Sequence, residues 1–361
     1  MVAAEKCNAW QGNATFNPEC FPTGQGKLNN PYRVCTPEQL QEMDNAPFDH
    51  NHFRLGKTID LTNSGSWFGG TGFHPIGQVS HVGFFGSLDG NGFEIQNLRL
   101  TSSNDYVGLF GQANGASFPG FWVNNLKLNN TRITNPGNNS GALAGYAGCA
   151  IVSGVESIGI NMTGVKNNAG GLIGATYLET KILYSKVQGT LATSDGAFVA
   201  SAIGGMVGMN PGSRLEIAQS ESAMAITAKA NNIGGLVGHM YGGNTVANYL
   251  NIHDDVIKGS IRAKDGSSTV GGVLGWATYT HAENVTTNQG NNKITIEGNG
   301  TVGYVGGFVG SAGYSEFVHN NTSYSIQGNT GGSVGGFGGS IGTSTVSKNT
   351  ASGAIGGENS K

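Results

Sequence analysis

Charge is the scarcest ingredient of this sequence. Asp, Glu, Lys and Arg make up 11% of it, against about a quarter in an average soluble domain. With a net charge of −3 and no run of Lys or Arg, nothing here would neutralise phosphates, so no nucleic-acid partner is expected. Proline is rare as well, with nine copies and no collagen period. Glycine breaks every apolar stretch well short of the ~20 residues a membrane helix requires, so no membrane insertion is expected of this segment. Cysteine numbers four: Cys7, Cys20 and Cys35 lie in the first tenth of the chain and Cys149 stands alone. None has the C-x-x-C spacing of a zinc or redox site, and no metal is expected. One disulfide among Cys7, Cys20 and Cys35 is expected to staple an irregular N-terminal segment, and the spacing leaves the pairing open. Cys149 reads as a small buried residue of a strand. A disulfide implies an oxidising compartment. Because the opening "MVAAEK" lacks an apolar leader, a removed signal and an added start Met are expected.

Glycine is what the sequence has in excess, 62 residues in 361, where about 7% is usual. Apolar residues at 37% argue against disorder. Small residues, Asn, Ser, Thr and β-branched residues dominate, which points to an all-β protein with many tight turns.

The glycines recur in a pattern. "GLFG" ends at Gly111, "ALAG" at Gly145, "GLIG" at Gly174, "GMVG" at Gly208, "GLVG" at Gly238, "GVLG" at Gly275, "GFVG" at Gly310 and a degenerate "GFGG" at Gly339. Intervals of 29 to 37 residues make this a repeat protein. Helical repeats are excluded: each glycine would cost about 1 kcal/mol inside a helix, and i, i+3, i+4 apolar spacing is absent. The intervening segments alternate instead, as in "KILYSKVQGTL" (181–191) and "NKITIEG" (292–298). Three short strands per repeat predict a parallel β-solenoid with one repeat per coil. A propeller blade would need about 40 residues and four strands.

Before the repeats, "TPEQLQEM" predicts a short helix with Thr36 as N-cap, Pro37 at the first helical position and Gln39 completing a capping box. Asp89-Gly90-Asn91-Gly92 predicts a turn. The division expected is a cap over 1–45 and a β-helix over 46–361, with eight repeats at about 106–345. An open solenoid end is a bare sheet edge, so a lid at the start makes physical sense. The tail "GAIGGENSK" shows no lid, and a longer parent chain or a separate capping element is expected there.

The repeated "GGLVG"-type element resembles the GLUG motif of bacterial surface proteins. The order "TPEQLQEM", "TIDL", "HPIG", "FFGSLDGNGFEIQNL", "YVGLFG" is similar to their opening coils, and the likeness covers roughly residues 31 to 345. It implies a right-handed parallel β-helix in a secreted or surface-anchored bacterial protein. Such repeats occur in adhesins and beside the peptidase domain of some immunoglobulin A-cleaving metalloproteases. The H-E-x-x-H motif of those peptidases is absent here, so their chemistry does not carry over.

Literal matches to catalytic motifs lack their structural context. "GNGTVG" (298–303) fits G-x-G-x-x-G, yet a repeat strand follows it where a dinucleotide site opens a helix. "GGSVG" and "GGSIG", around Ser333 and Ser340, fit G-x-S-x-G without a strand–turn–helix elbow. His253, Asp254 and Asp255 in "HDDVIKG" would interest a glycosidase, but adjacent strand residues face opposite ways and the flanking coils offer no partner acid that aligns. Asp89 reads as a turn residue because the alternating ligands of a calcium loop are missing.

One pattern remains. Tyr146, Tyr177, His239 with Tyr241, Trp276 with Tyr279, and Tyr314 follow the final glycine of their repeats by one to four residues. Equal offsets stack in a solenoid, so these rings would either line an edge where a glycan or protein partner could pack, or fill a corner of the core. The expected function is a non-catalytic, adhesin-like binding or spacer region at a bacterial surface. It would contact a host or environmental glycan or surface protein without a cofactor. The alternatives are a glycosidase or polysaccharide lyase on the same scaffold, a purely structural stalk, and an ice-binding solenoid.

Overall fold

The computed structural model describes residues 16–45, 51–78, 83–114, 118–195, 199–242, 250–287, 293–299, 302–329 and 331–356. The chain winds as an all-β parallel solenoid whose strands collect into three sheets. One coil shows the plan. Ala200–Gly204 lies in the third sheet, Val207–Pro211 and Leu215–Ala218 lie in the first, and Glu221–Ala228 lies in the second. The next coil repeats that order, with Val256–Ile257 and Ser260–Ala263 in the second sheet, and each strand pairs in parallel with its predecessor.

The repeats stack in register. The residue before the final glycine pairs from coil to coil: Phe110 with Ala144, then Ile173, Val207, Val237, Leu274, Val309 and Gly338. Farther along the same sheet, Phe53, Leu88, Val123, Val152, Ile182, Ile217, Ile252, Ala282 and Phe317 form one apolar column, every member fully buried. Each Val, Leu, Ile or Phe side chain of the column contributes about 1.5–3 kcal/mol on burial, and Ala282 less. Period-two alternation therefore fixes the register, since a one-residue slip would turn the column out to water.

The glycines of the motif work at a seam between sheets. Ala230–Gly234 ends at Gly234, the chain bends over residues 235–236, and Val237–Tyr241 begins the next strand, with Ile233, Leu236 and Val237 all fully buried. A Cβ on Gly238 would stand 2.6 Å from the Ile203 amide nitrogen in the third sheet, and one on Gly275 would stand 2.7 Å from that of Ile233. Here two sheets meet backbone against backbone, and only hydrogen fits between them.

The N-terminal segment matches expectation in its helix. Pro37–Glu42 is α-helical, the Thr36 hydroxyl accepts the Gln39 N–H at 3.1 Å, and Gln39 Oε1 accepts the Cys35 N–H at 2.6 Å. Leu40, Met43 and Phe21 are buried beneath it. Thr36→Ala should lower stability by about 1 kcal/mol. Hydrogen exchange would show the loss as faster exchange confined to the helix and its neighbours; protection unchanged from the parent chain would refute the cap's role. The sheet itself starts earlier than the expected boundary at residue 46, because Tyr32–Val34 already pairs with Asn51–Leu55.

Of the three cysteines that could form the expected disulfide, Cys35 is a free thiol. Its Sγ packs over Gly56, where an added Cβ would come within 2.5 Å of it. Cys20 is fully buried and disulfide-bonded, so a bridge at the N-terminus forms without Cys35, and Cys7 lies outside the described residues. Cys149 is free and buried, as a strand residue should be, but it sits on a bulge with φ of +50°. The Asp89 turn is a corner between sheets: Gly86–Asp89 belongs to the first and Glu94–Gln96 to the second. Asp89 Oδ1 accepts the Asn91 N–H at 2.9 Å while Oδ2 meets Arg54 at 2.8 Å, which gives the carboxylate a structural role.

Candidate binding face

The rings singled out from the sequence all stand on the first sheet or at its bend, and none belongs to the buried core. Register divides them into three columns. Tyr146, His239 and Trp276 occupy the first position after the final glycine, Tyr177 and Tyr241 the third, and Tyr279 and Tyr314 the fourth. Outward side chains alternate with inward ones along a strand, so the first and third positions share the outer face. The fourth position is where the sheet bends, and there Tyr279 and Tyr314 adopt left-handed backbone with φ near +50°.

Stacking runs along the columns in two pairs and across them between Tyr146 and Tyr177. Tyr106 meets Tyr146 edge-on at 5.9 Å between centroids, and Tyr146 stacks on Tyr177 at 6.3 Å. His239 stacks on Trp276 at 4.5 Å, and Tyr279 lies nearly parallel to Tyr314 at 5.2 Å. Tyr177, Tyr241 and Tyr314 keep 43%, 46% and 56% of their surface exposed, so a ligand could reach them. The track is thus an outer one, but it is broken into clusters. Burial pushes the His239 imidazole down to about 4, leaving it neutral at ordinary pH, and its Nε2 is buried with no hydrogen-bond partner. Burial, reinforced by Tyr177 and Tyr106, raises the Tyr146 phenol above its usual value.

Beside the rings, just past the bend, runs a ladder of charged side chains that the sequence reading missed. Lys181, Glu216, Asn251, His281 and Glu316 form one outward row, and Leu183, Ala218, His253, Glu283 and Val318 form the next. Lys181 Nζ lies 2.9 Å from Glu216, and Arg214 lies 3.4 Å from Glu179. His253 bridges Asp254 at 2.9 Å and Glu216 at 3.6 Å. His281 reaches Glu316 at 3.1 Å and Glu283 at 3.6 Å, and His319 reaches Glu283 at 3.4 Å. A groove of about 330 Å³ opens among Glu179, Lys181, Arg214, Glu216, Asn251 and His281. The flanking coils therefore do supply acids near His253, contrary to expectation. For Asp254 itself the expectation stands, since the corners on either side carry Gln219 and Asn284, which hydrogen-bond to the adjoining coil as Asp254 does. Asp254 and Asp255 face opposite ways, Asp254 exposed and Asp255 fully buried.

Burial alone would raise the Glu216 carboxyl, but Lys181 and His253 together hold it below the usual carboxylate range. Burial likewise opposes protonation of His253, and Asp254 and Glu216 overcome it, so its pKa is raised. Among the described residues no group of three or more His, Cys, Asp or Glu is arranged to hold a metal. No helix among them is long and apolar enough to cross a membrane.

No family model matches the chain. It is 37% identical to halomucin of Haloquadratum walsbyi over 169 residues, covering 45% of this chain and 2% of that protein. It is 33% identical over 117 residues to a protein of Evansella cellulosilytica provisionally named as a Gly-rich membrane protein, covering 32% of this chain and 13% of that one. The chain thus spans only a small part of the length of the curated relatives it matches. In structure it resembles a chain from Bacteroides ovatus assigned as an immunoglobulin A1 protease, with a TM-score of 0.58, 19% identity, and coverage of 78% of this chain and 83% of that one. At that identity the likeness is one of fold.

Proposed function

We propose that this solenoid is a non-catalytic binding segment of a secreted or surface-displayed protein of the GLUG-repeat kind. Its outer face holds a glycan chain against the aromatic clusters. The carrying observation is the set of exposed rings, Tyr177, Tyr241 and Tyr314, next to a groove rich in hydrogen-bonding groups. Sugar rings present C–H faces for aromatic stacking and hydroxyls for polar side chains, and this face offers both. The names of the two sequence relatives, a mucin and a membrane protein, support a surface location.

Paired carboxylates in the groove, Glu179 and Glu216, are what a glycosidase would need. Such chemistry calls for one acid kept protonated near neutral pH, whereas both carboxylates lie against Lys181 or Arg214 and Glu216 is held below the usual carboxylate range. Binding without turnover is therefore the reading the electrostatics favour. Titration against a glycan panel is the test. Trp276→Ala or Tyr241→Ala should weaken the captured glycan roughly tenfold or more, as loss of an aromatic anchor does. Binding that ignores both substitutions would end the aromatic-face proposal, release of reducing ends would establish the enzyme, and capture of proteins alone would redirect the partner class.

A further inference from the structure

The charges on the same face narrow its ligand, an inference that rests on the glycan-binding reading above. Lys181 and Arg214 are the two Lys or Arg side chains of the groove, and both are committed to carboxylates. Lys181 lies 2.9 Å from Glu216 and 4.0 Å from Glu179, and Arg214 lies 3.4 Å from Glu179. Three more carboxylates follow along the ladder, and among the described residues no Lys or Arg forms an ion pair with them. Asp254 is held by His253 and by Asn284 Nδ2 at 3.3 Å, Glu283 by His281 and His319, and Glu316 by His281. An amide satisfies an oxygen without cancelling its charge, and the three imidazoles are shared among four carboxylates, Glu216 included. Lys348 stands on the corner one coil beyond His319, past the end of the ladder.

We infer that the glycan held by this face is uncharged, a neutral hexose or N-acetylhexosamine polymer, and that sialylated, sulfated or uronic acid-containing chains are turned away. An anionic sugar stacked on Tyr279 or Tyr314 would lie over His281 and Glu316, which follow those rings by two residues. It would meet the surplus negative charge within about 10 Å, the screening length at moderate salt. It would find no uncommitted cation in the groove to offset the repulsion. A neutral glycan avoids the repulsion and can accept hydrogen bonds from Asn251 or the paired lysine.

A glycan array that contains neutral chains and their sialylated or sulfated counterparts tests this with the parent chain alone. Neutral members should bind with affinity changing less than about threefold across about 0.05–0.5 M salt, and their anionic counterparts should bind at least about tenfold more weakly at the low-salt end. In the Glu283→Gln/Glu316→Gln double variant the affinity ratio between a neutral chain and its anionic counterpart, both measured on the variant, should shrink from about tenfold to less than about threefold. Anionic chains that bind the parent best at low salt would overturn the inference and leave the glycan-binding reading intact. Failure of every glycan to bind would remove both.

Discussion

Gly238→Ala is expected to cost about 3 kcal/mol, the upper range for forcing a methyl group into filled space. The added carbon would stand 2.6 Å from the Ile203 nitrogen, 2.7 Å from the Gly208 oxygen and 2.7 Å from the Ile203 carbonyl carbon. All three are backbone atoms, held in ladders on both sides, so no side-chain rotation can relieve the contact. One sheet must move from the other, and neighbouring coils must follow or separate. Gly65 is the matching control. Nothing lies within 4 Å of the position its Cβ would take, and its φ is not in the left-handed range. Gly65→Ala should be neutral or stabilise by about 0.5 kcal/mol through the unfolded chain. Denaturant midpoints for the two variants, with hydrogen exchange to locate the change, provide the comparison. Equal midpoints would mean that the seam tolerates side chains and that the close approach is not what selects glycine.

Asp255→Asn should stabilise the protein at pH 8 and leave it nearly unchanged at pH 4. Asp255 is fully buried, its Oδ1 accepts the Ser220 N–H at 2.8 Å, and its Oδ2 has no partner. Burial, only partly countered by that N–H, pushes the carboxyl up to about 8. The folded value lies above the unfolded one. Its contribution is thus fully present below about pH 4 and is lost as the pH rises through about 8. At pH 8 the penalty removed by the variant is on the order of 3 kcal/mol or more. The neighbouring coils show why asparagine fits. Two coils on, Asn320 holds the same corner, accepting the Val285 N–H at 2.9 Å and donating Nδ2 to the Ala282 carbonyl at 2.9 Å. A protonated Asp255 imitates that amide; an ionised one cannot. Asp44, buried and pushed up to about 7, adds a slope of the same sign that the variant keeps. Thermal unfolding across this pH range measures both effects. A parent and variant that stay parallel from pH 4 to pH 8 would show that Asp255 does not ionise in that interval.

The solenoid was legible because its two strongest signals are local. Each "GLVG"-type element carries its own glycines and apolar residues, and each alternating segment its own parity, so no long-range knowledge was needed to place the coils. The bend at Gly234-Gly235 could be anticipated from parity alone, since Ile233 and Leu236 could not both face inward on a straight strand. The ring columns were half legible. Their offsets from the last glycine were visible, but whether a position points out or turns the corner depends on the left-handed residues at Tyr279 and Tyr314. The charged ladder escaped because it lies beyond a connection of variable length. Glu283 and Val318 each come eight residues after the last glycine of their repeat, whereas His253 comes fifteen after Gly238, so counting from the glycine scatters one straight row. Counting back from the buried residue before each row, as with Ile252, Ala282 and Phe317, would have aligned it. The cysteine pairing was not legible: spacing left Cys7, Cys20 and Cys35 as equal candidates, and nothing local in the sequence says that the Cys35 Sγ points over Gly56 while Cys20 is bridged.

The unbroken register from Phe110 to Gly338 also makes length a heritable variable. Excising or duplicating the span between two successive final glycines would join chemically equivalent ends, restore every ladder and leave both termini of the array as they were. A lineage could therefore lengthen or shorten such a molecule in whole steps of about 4.8 Å without redesigning any contact. Selection could act on reach separately from selection on what the exposed strip holds.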